Sequence, residues 1–317
     1  MGRRSRTLLL VPVLAAGLLL PALSGTAAAA PAPPAATQSS GWSGGTLQEL
    51  LNSLRVRALY AEVFSGHRLD RADRYLHRDL IQHTPTVGQG LAGFRAFYRD
   101  VFFPAFPDVR ARITNLIAQN DRVATYATWT GHNAATGQPL TLHTADIYRF
   151  ERGRIAERWD VIDYSGLDDH GVPVPDQMQP PTPVDRRGSR ADRANIRLVL
   201  DFTTEVLQQR RLDRAGVYLA EDLVQHEPTI PPGLAGFQEC FHRYFGGFPD
   251  LTFEIQHVLA DADHVVVFWV WRGHQAGTGR PLVLHTSDLY RVAGGKLVEH
   301  WNTVDFTALE PFGIARP

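Results

Sequence analysis

Hydrophobic and polar positions alternate along this chain in a pattern that is written twice. Thr46-Leu-Gln-Glu49 is a capping box, in which a threonine and a glutamate each satisfy a free N–H at a helix start. Leu47, Leu50, Leu51 and Leu54 follow at helical spacing, and Ile196, Val199, Leu200 and Leu207 give the same stripe later in the chain. Asp70 and Asp213 are expected N-caps of a short second helix, and a third helix is predicted after Gly90 and Gly233. Four strand-like segments follow in the first copy, at about 109–118, 122–132, 140–150 and 154–163. Three helices before a meander of long strands predict an α+β fold: a curved, antiparallel-rich sheet covered on one face by three helices.

The repeat is visible residue by residue. Gln82-His83 recurs as Gln225-His226, and Gly90-Leu-Ala-Gly-Phe94 recurs as Gly233-Leu-Ala-Gly-Phe237. Phe106-Pro107-Asp108 recurs as Phe248-Pro249-Asp250, one residue closer, and that register holds to the end. Trp129-Thr-Gly-His132 thus matches Trp271-Arg-Gly-His274, and Leu142-His-Thr-Ala-Asp146 matches Leu284-His-Thr-Ser-Asp288. Between the copies lie Pro173, Pro175, Pro180, Pro181 and Pro183, a composition that favours an extended spacer. The expected organisation is a first domain over 45–167, a linker over 168–190 and a second domain over 191–313.

Residues 1–44 change this picture, because they are a different material. Arg3, Arg4 and Arg6 precede an apolar run from Leu8 to Leu23, and Ala27 to Ala30 supply small residues for cleavage. That layout predicts a signal peptide over 1–30, a loose N-terminus over 31–44 and an exported mature protein. Without the three leader arginines the chain is mildly acidic, which leaves no basic field to hold nucleic acid or an anionic membrane. The one cysteine, Cys240, excludes an internal disulfide and falls in the apolar pattern of Phe237, Phe241 and Tyr244.

Candidate chemistry comes from polar positions that recur in both copies: His83 and His226, His132 and His274, Asp146 and Asp288. If residue 132 pairs with 140 across the hairpin, His132, Thr130, Thr144, Asp146 and Tyr148 share one sheet face, as do His274 and Asp288 in the second copy. A carboxylate on an apolar concave face can act as a general base toward a C–H, with an imidazole donating to the oxygen that becomes negative. The competing reading pairs Asp146 with Arg149 and makes each histidine an ordinary buried hydrogen-bonding group. On the same pairing Tyr126 and Phe268 line the pocket, Trp159 and Trp301 belong to the core or pocket wall, and His143 and His285 help a sheet-to-sheet contact. Trp129, Ile147, Trp269, Trp271 and Leu289 then fall on an outward apolar face that needs a partner, which predicts an internal pseudo-dimer of the repeats. The drier wall of the second copy makes it the expected seat of chemistry. The 13 histidines include no His-x-His or His-Glu-x-x-His spacing, and no glycine-rich phosphate loop joins a strand to a helix; neither a metal nor another cofactor is expected.

Leu80-Ile-Gln-His83, Gly90-Leu-Ala-Gly-Phe94, Asp146-Ile-Tyr-Arg149 and Gly153-Arg-Ile-Ala-Glu-Arg-Trp159 resemble the SnoaL-like polyketide (ester) cyclases of the nuclear-transport-factor-2-like superfamily. Gly295-Lys-Leu-Val-Glu-His-Trp301 in the second copy is closer still. The resemblance implies a cone-shaped α+β barrel and cofactor-free aldol-type ring closure on a small hydrophobic carbonyl compound. It implies that Asp146 and Asp288 are the acid/base, that His132 and His274 stand beside them, and that His83 and His226 line the pocket. Export and tandem fusion depart from the family pattern, since such cyclases work beside a synthase and pair as separate subunits. A secreted module that captures a hydrophobic small molecule without chemistry is the alternative.

Overall fold

The computed structural model describes residues 45–84, 86–168, 188–227 and 229–313. The expected signal peptide, the loose N-terminus and nearly all of the proline-rich linker lie outside the described residues.

Each repeat opens on a capped helix. Thr46 Oγ1 accepts from the Glu49 N–H at 3.2 Å while Glu49 Oε2 accepts from the Thr46 N–H at 2.6 Å, and helix Leu47–Leu59 runs on into a π-helical turn, Tyr60–Phe64. The second repeat repeats this with Ser189 as cap, helix Arg190–Phe202 and a π-helical turn over Thr203–Gln208. The buried stripe of the first helix is Asn52, Val56 and Leu59; Leu47, Leu51 and Leu54 are exposed, so the helix was legible but its inner face was not. Asp70 lies inside the next short helix, Leu69–Arg74, and pairs with Arg68 rather than capping it.

Five strands follow the order β1-β5-β4-β3-β2 in the first repeat: β1 Leu76–Gln82, β2 Arg110–Gln119, β3 Arg122–His132, β4 Pro139–Glu151 and β5 Arg154–Ile162. The second repeat has the order β6-β10-β9-β8-β7, with β6 Leu219–Gln225, β7 Thr252–Asp261, β8 His264–His274, β9 Pro281–Ala293 and β10 Lys296–Val304. Four of the five strands match the expected meander. β1 and β6 were not expected: each pairs in parallel with the last strand of its repeat, across a register shift that breaks its alternation of apolar and polar residues. The helices of each repeat cover one face of its sheet, which gives the cone-shaped α+β fold twice over.

The β3–β4 register decides which side chains meet. His132 pairs with Pro139 and Thr125 with Asp146, one residue away from the expected pairing of 132 with 140. The hairpin loop has six residues, closed by the Asn133 N–H on the Gln138 carbonyl and by Gly137, whose φ of +72° suits glycine. A one-residue slip sends every β3 side chain to the other face. Val123, Ala127 and Trp129 therefore pack in the interior core with Leu142 and Tyr148, whereas Ala124 and Tyr126 face outward with Ala145 and Ile147. The second repeat has the same register, with His274 on Pro281 and Val267 on Asp288.

The outward faces of the two sheets pack on each other. Ile117, Tyr126, Ile147, Trp159 and Val161 form one buried cluster with Leu259, Val266, Phe268 and Leu289, and Trp301 packs at its side. Burial of each large apolar side chain there contributes about 1.5–3 kcal/mol. The Tyr126 hydroxyl lies 2.5 Å from Ser287 Oγ, and Gln119 Oε1 accepts from the Ala260 N–H at 3.2 Å. Ile147 and Leu289 sit in this contact as expected; Trp129 and Trp269 are in the interior cores and Trp271 packs against one of them. His285 is buried, while His143 is exposed with its ring 3.4 Å from Thr128 Oγ1. Cys240 is buried, and that burial pushes its thiol up.

Candidate active site in the second repeat

Strands β8, β9 and β10 and the helices above them surround a narrow cavity in the second repeat. Leu223, Phe237, Phe241 and Leu284 give it apolar walls, with Trp269 and Trp271 along one side. The centres of water-sized spheres sweep about 40 Å³ of it. A single water needs roughly 10–15 Å³, so the space suits a compact ligand.

Polar groups enter from the sheet. Asp288 pairs with Asn302 across β9 and β10, which puts His300, two residues back, diagonally beside it on the same face. His300 Nε2 lies 2.7 Å from Asp288 Oδ1, and His300 Nδ1 lies 2.7 Å from Gln225 Oε1 on β6. Both ring nitrogens thus face an acceptor oxygen, and the imidazole is fixed at both ends. Asp288 Oδ2 has only a 3.4 Å contact with the Thr286 hydroxyl. Asp288 and His300 are both buried and both line the cavity. Among the described residues, the buried indole N–H groups of Trp269 and Trp271 meet no acceptor, and the buried Glu227 Oε1 meets no donor.

In the first repeat buried side chains occupy the same place. Arg158 stands where the second repeat has His300, and its Nη2 lies 2.7 Å from Asp146 Oδ1 and 3.1 Å from Asp160 Oδ2. Tyr60 stands where the second repeat has Thr203, and its hydroxyl donates to Asp146 Oδ2 at 2.9 Å. The Thr144 hydroxyl donates to the same oxygen at 3.1 Å, and the Tyr148 hydroxyl donates to the Tyr60 oxygen at 3.3 Å. Thr84 donates to Asp160. Burial raises the Asp160 carboxyl and the Tyr60 and Tyr148 hydroxyls above their ordinary values. Thr203 instead turns its hydroxyl back to the Val199 carbonyl at 2.7 Å.

The expected histidines are elsewhere. His132 and His274 sit exposed at the strand ends, with Nδ1 on Asp108 Oδ2 at 2.7 Å and on Asp250 Oδ2 at 2.6 Å. Hydrogen bonds from each histidine hold its aspartate below the usual carboxylate range. The shifted register is the reason: it turns the strand ends away from Asp146 and Asp288. His83 and His226 do not line the cavity. They stack on Trp159 and Trp301, ring centroids 4.9 and 4.6 Å apart, and bond Glu157 at 2.9 Å and Glu299 at 2.8 Å. Trp159, Tyr126 and Phe268 belong to the contact between the sheets, and Trp301 packs beside it. Of the expected site residues, only Asp288 lines the cavity.

His300, Gln225 and Glu227 were missed. His300 stood in the Glu-His-Trp run, and its two-residue offset from the partner of Asp288 was the usable signal. Among the described residues, no three His, Cys, Asp or Glu side chains converge to hold a metal ion.

The model of the SnoaL-like polyketide cyclases matches residues 54–169 and again 197–311. Several solved structures are similar to one repeat. TsrD from Streptomyces laurentii is 23% identical over 37% of this chain and 93% of its own, with a TM-score of 0.34. IdmH from Streptomyces antibioticus is 24% identical over 38% of this chain and 99% of its own, with a TM-score of 0.35. A SnoaL-like polyketide cyclase from Agrobacterium tumefaciens is 18% identical over 38% and 98%, with a TM-score of 0.34. No curated protein matches the chain. Two family matches on two copies of the cone fold define a tandem, one-chain cyclase-like protein. The chain belongs to the SnoaL-like polyketide cyclase family.

Proposed function

We propose that the second repeat is a cofactor-independent acid–base catalyst that enolises a compact, largely apolar carbonyl compound, leading to aldol-type ring closure or isomerisation. The observation that carries this reading is the chain Asp288–His300–Gln225 at the wall of the cavity, with 2.7 Å at each link.

In this reading Asp288 Oδ2 takes the proton from the carbon next to the carbonyl, and the electron pair moves onto the carbonyl oxygen. The unpartnered indole N–H groups of Trp269 and Trp271 supply donors for that oxygen as its charge grows. After the new bond has formed, the proton on Asp288 passes to the alkoxide of the closed ring, or back to carbon in an isomerisation, which resets the carboxylate, while His300, fixed by Gln225, holds Oδ1 in place. In the first repeat the residue in the place of His300 is an arginine, which stays charged throughout and does not hand on a proton. Its part is to cover the outward sheet face of the working repeat. Export belongs to the same proposal and is supported by the leader-like residues 1–30.

The test is carbon–deuterium exchange of simple aryl ketones in heavy water, followed by NMR. The full chain should catalyse exchange and its Asp288→Asn variant should not. Ketone binding without exchange in the wild type would favour a capture module, and equal exchange in the variant would remove Asp288 from the mechanism.

A further inference from the structure

Glu227 is a carboxylate with half its hydrogen bonding in place. The residue is 4% exposed. Its Oε2 accepts from both the backbone N–H and the hydroxyl of Thr229, each at 2.7 Å. Its Oε1 is buried and receives no hydrogen bond from the described residues. Both residues line the cavity, together with Asn302 and Tyr244, and no arginine or lysine is among the lining residues. A buried acceptor left unpaired is unfavourable, and a carboxylate oxygen more so than a neutral one.

The first repeat shows that the fold does not require this group. Thr84 stands at the equivalent position, and its hydroxyl is used up on Asp160 inside the filled cluster. The acidic residue accompanies the open cavity, while the small one accompanies the place taken by the buried Arg158 and Tyr60. The apparatus assigned to proton transfer leaves it untouched, since Asp288 is served by His300 and Thr286.

We propose that Glu227 determines the specificity of the second cavity by accepting a hydrogen bond from its ligand, so that the preferred ligand is a hydroxyl-bearing carbonyl compound and free carboxylic acids are refused. This rests on reading the cavity as a ligand site, but not on Asp288 being a base. A hydroxyl on the ligand gives Oε1 the donor that the protein withholds. A methoxy group of similar shape leaves Oε1 unpaired. A carboxylate on the ligand meets Glu227 and Asp288 with no arginine or lysine at the wall to offset the repulsion. Sites built to bond a substrate hydroxyl discriminate strongly against analogues that lack it.

The experiment is calorimetric titration of the full chain with para-hydroxyacetophenone, para-methoxyacetophenone and para-acetylbenzoate. The hydroxy ketone should bind at least about tenfold more tightly than the methoxy ketone, and the benzoate should not bind. Glu227→Gln keeps an oxygen for Thr229 and turns an amide N–H toward the cavity, so the preference should vanish or reverse. Asp288→Asn should keep the preference in full. Equal affinity of wild type for the hydroxy and methoxy ketones, binding of the benzoate, binding of none of the three, or an unchanged preference in Glu227→Gln would each overturn the proposal. A preference that survives Asp288→Asn while no variant exchanges deuterium would leave the proposal standing and remove the catalytic reading. Exchange without any preference would do the reverse.

Discussion

Arg158 and His300 occupy the same position of the two repeats, and each reaches the aspartate diagonally across from it at 2.7 Å. One is a permanent cation locked between Asp146 and Asp160; the other is an imidazole held by Gln225. Together with Tyr60 in the place of Thr203, that difference separates a buried ion cluster that holds a fold together from a dyad beside an open cavity. It also predicts that the same substitution has opposite consequences in the two halves.

Asp146→Asn should damage stability and spare activity. It leaves Arg158 buried with one countercharge instead of two, and breaking a buried ion pair costs about 3–5 kcal/mol. Asp288→Asn should lower deuterium exchange by at least about 100-fold, with a much smaller change in the urea midpoint. Urea denaturation and ketone exchange measured on both variants check the pair. Matching losses of exchange in the two variants would show that both repeats work.

The cavity itself should close with one residue. Tyr60 sends its hydroxyl to Asp146 from the first residue of a π-helical turn, and Thr203 holds the equivalent place with its hydroxyl turned back on the helix. Thr203→Tyr puts a ring into the space above Asp288. Ketone binding should fall below detection by calorimetry while the melting temperature holds or rises. The converse variant, Tyr60→Thr, should not create a working site, because Arg158 still occupies Asp146; it should cost about 3 kcal/mol as a cavity in a packed interior. Binding that survives Thr203→Tyr would place the ligand elsewhere.

How much of this was legible follows from which interactions act locally. The repeat, the three helices and the four meander strands could be read, because capping boxes and apolar spacing are local signals. The parallel strands β1 and β6 could not, because Leu76-His-Arg-Asp-Leu-Ile-Gln82 breaks alternation at a register shift. The site turned on a hairpin of six residues, and sequence pattern leaves such a length open by one. That one residue turned His132 and His274 to the other face of their sheets and carried Tyr126 and Phe268 into the contact between sheets. Asp146 and Asp288 were recognisable because they recur. What distinguishes them was not, since it depends on Arg158, His300, Tyr60 and Thr203, positions where the repeats differ and where a search for recurrence gives no signal.

Asp305 should give the contact between the repeats a pH dependence of defined sign. Its Oδ1 accepts from the Thr307 N–H at 3.2 Å and from the Thr307 hydroxyl at 2.6 Å, and Asp163 is the corresponding residue of the first repeat, bonded in the same way to Ser165. Burial pushes the Asp305 carboxyl up to about 6, and the negative charge of Asp163 adds to the rise. A carboxyl with a raised folded-state pKa favours the folded state in its protonated form. Its contribution is therefore complete below the ordinary carboxylate value of roughly 3.9 and is lost as pH rises through about 6. Two units correspond to about 3 kcal/mol as an upper figure. Asp160 is raised by burial in the first repeat and acts in the same direction, so the wild-type profile alone does not isolate Asp305. The difference between wild type and Asp305→Asn does, because the amide keeps the Thr307 hydrogen bonds and carries no charge. Urea midpoints from about pH 4.5 to about pH 8 should show the variant more stable at the alkaline end by on the order of 2 kcal/mol, with the gap closing toward the acid end. A gap that stays constant across this range would mean that Asp305 titrates as it does in the unfolded chain.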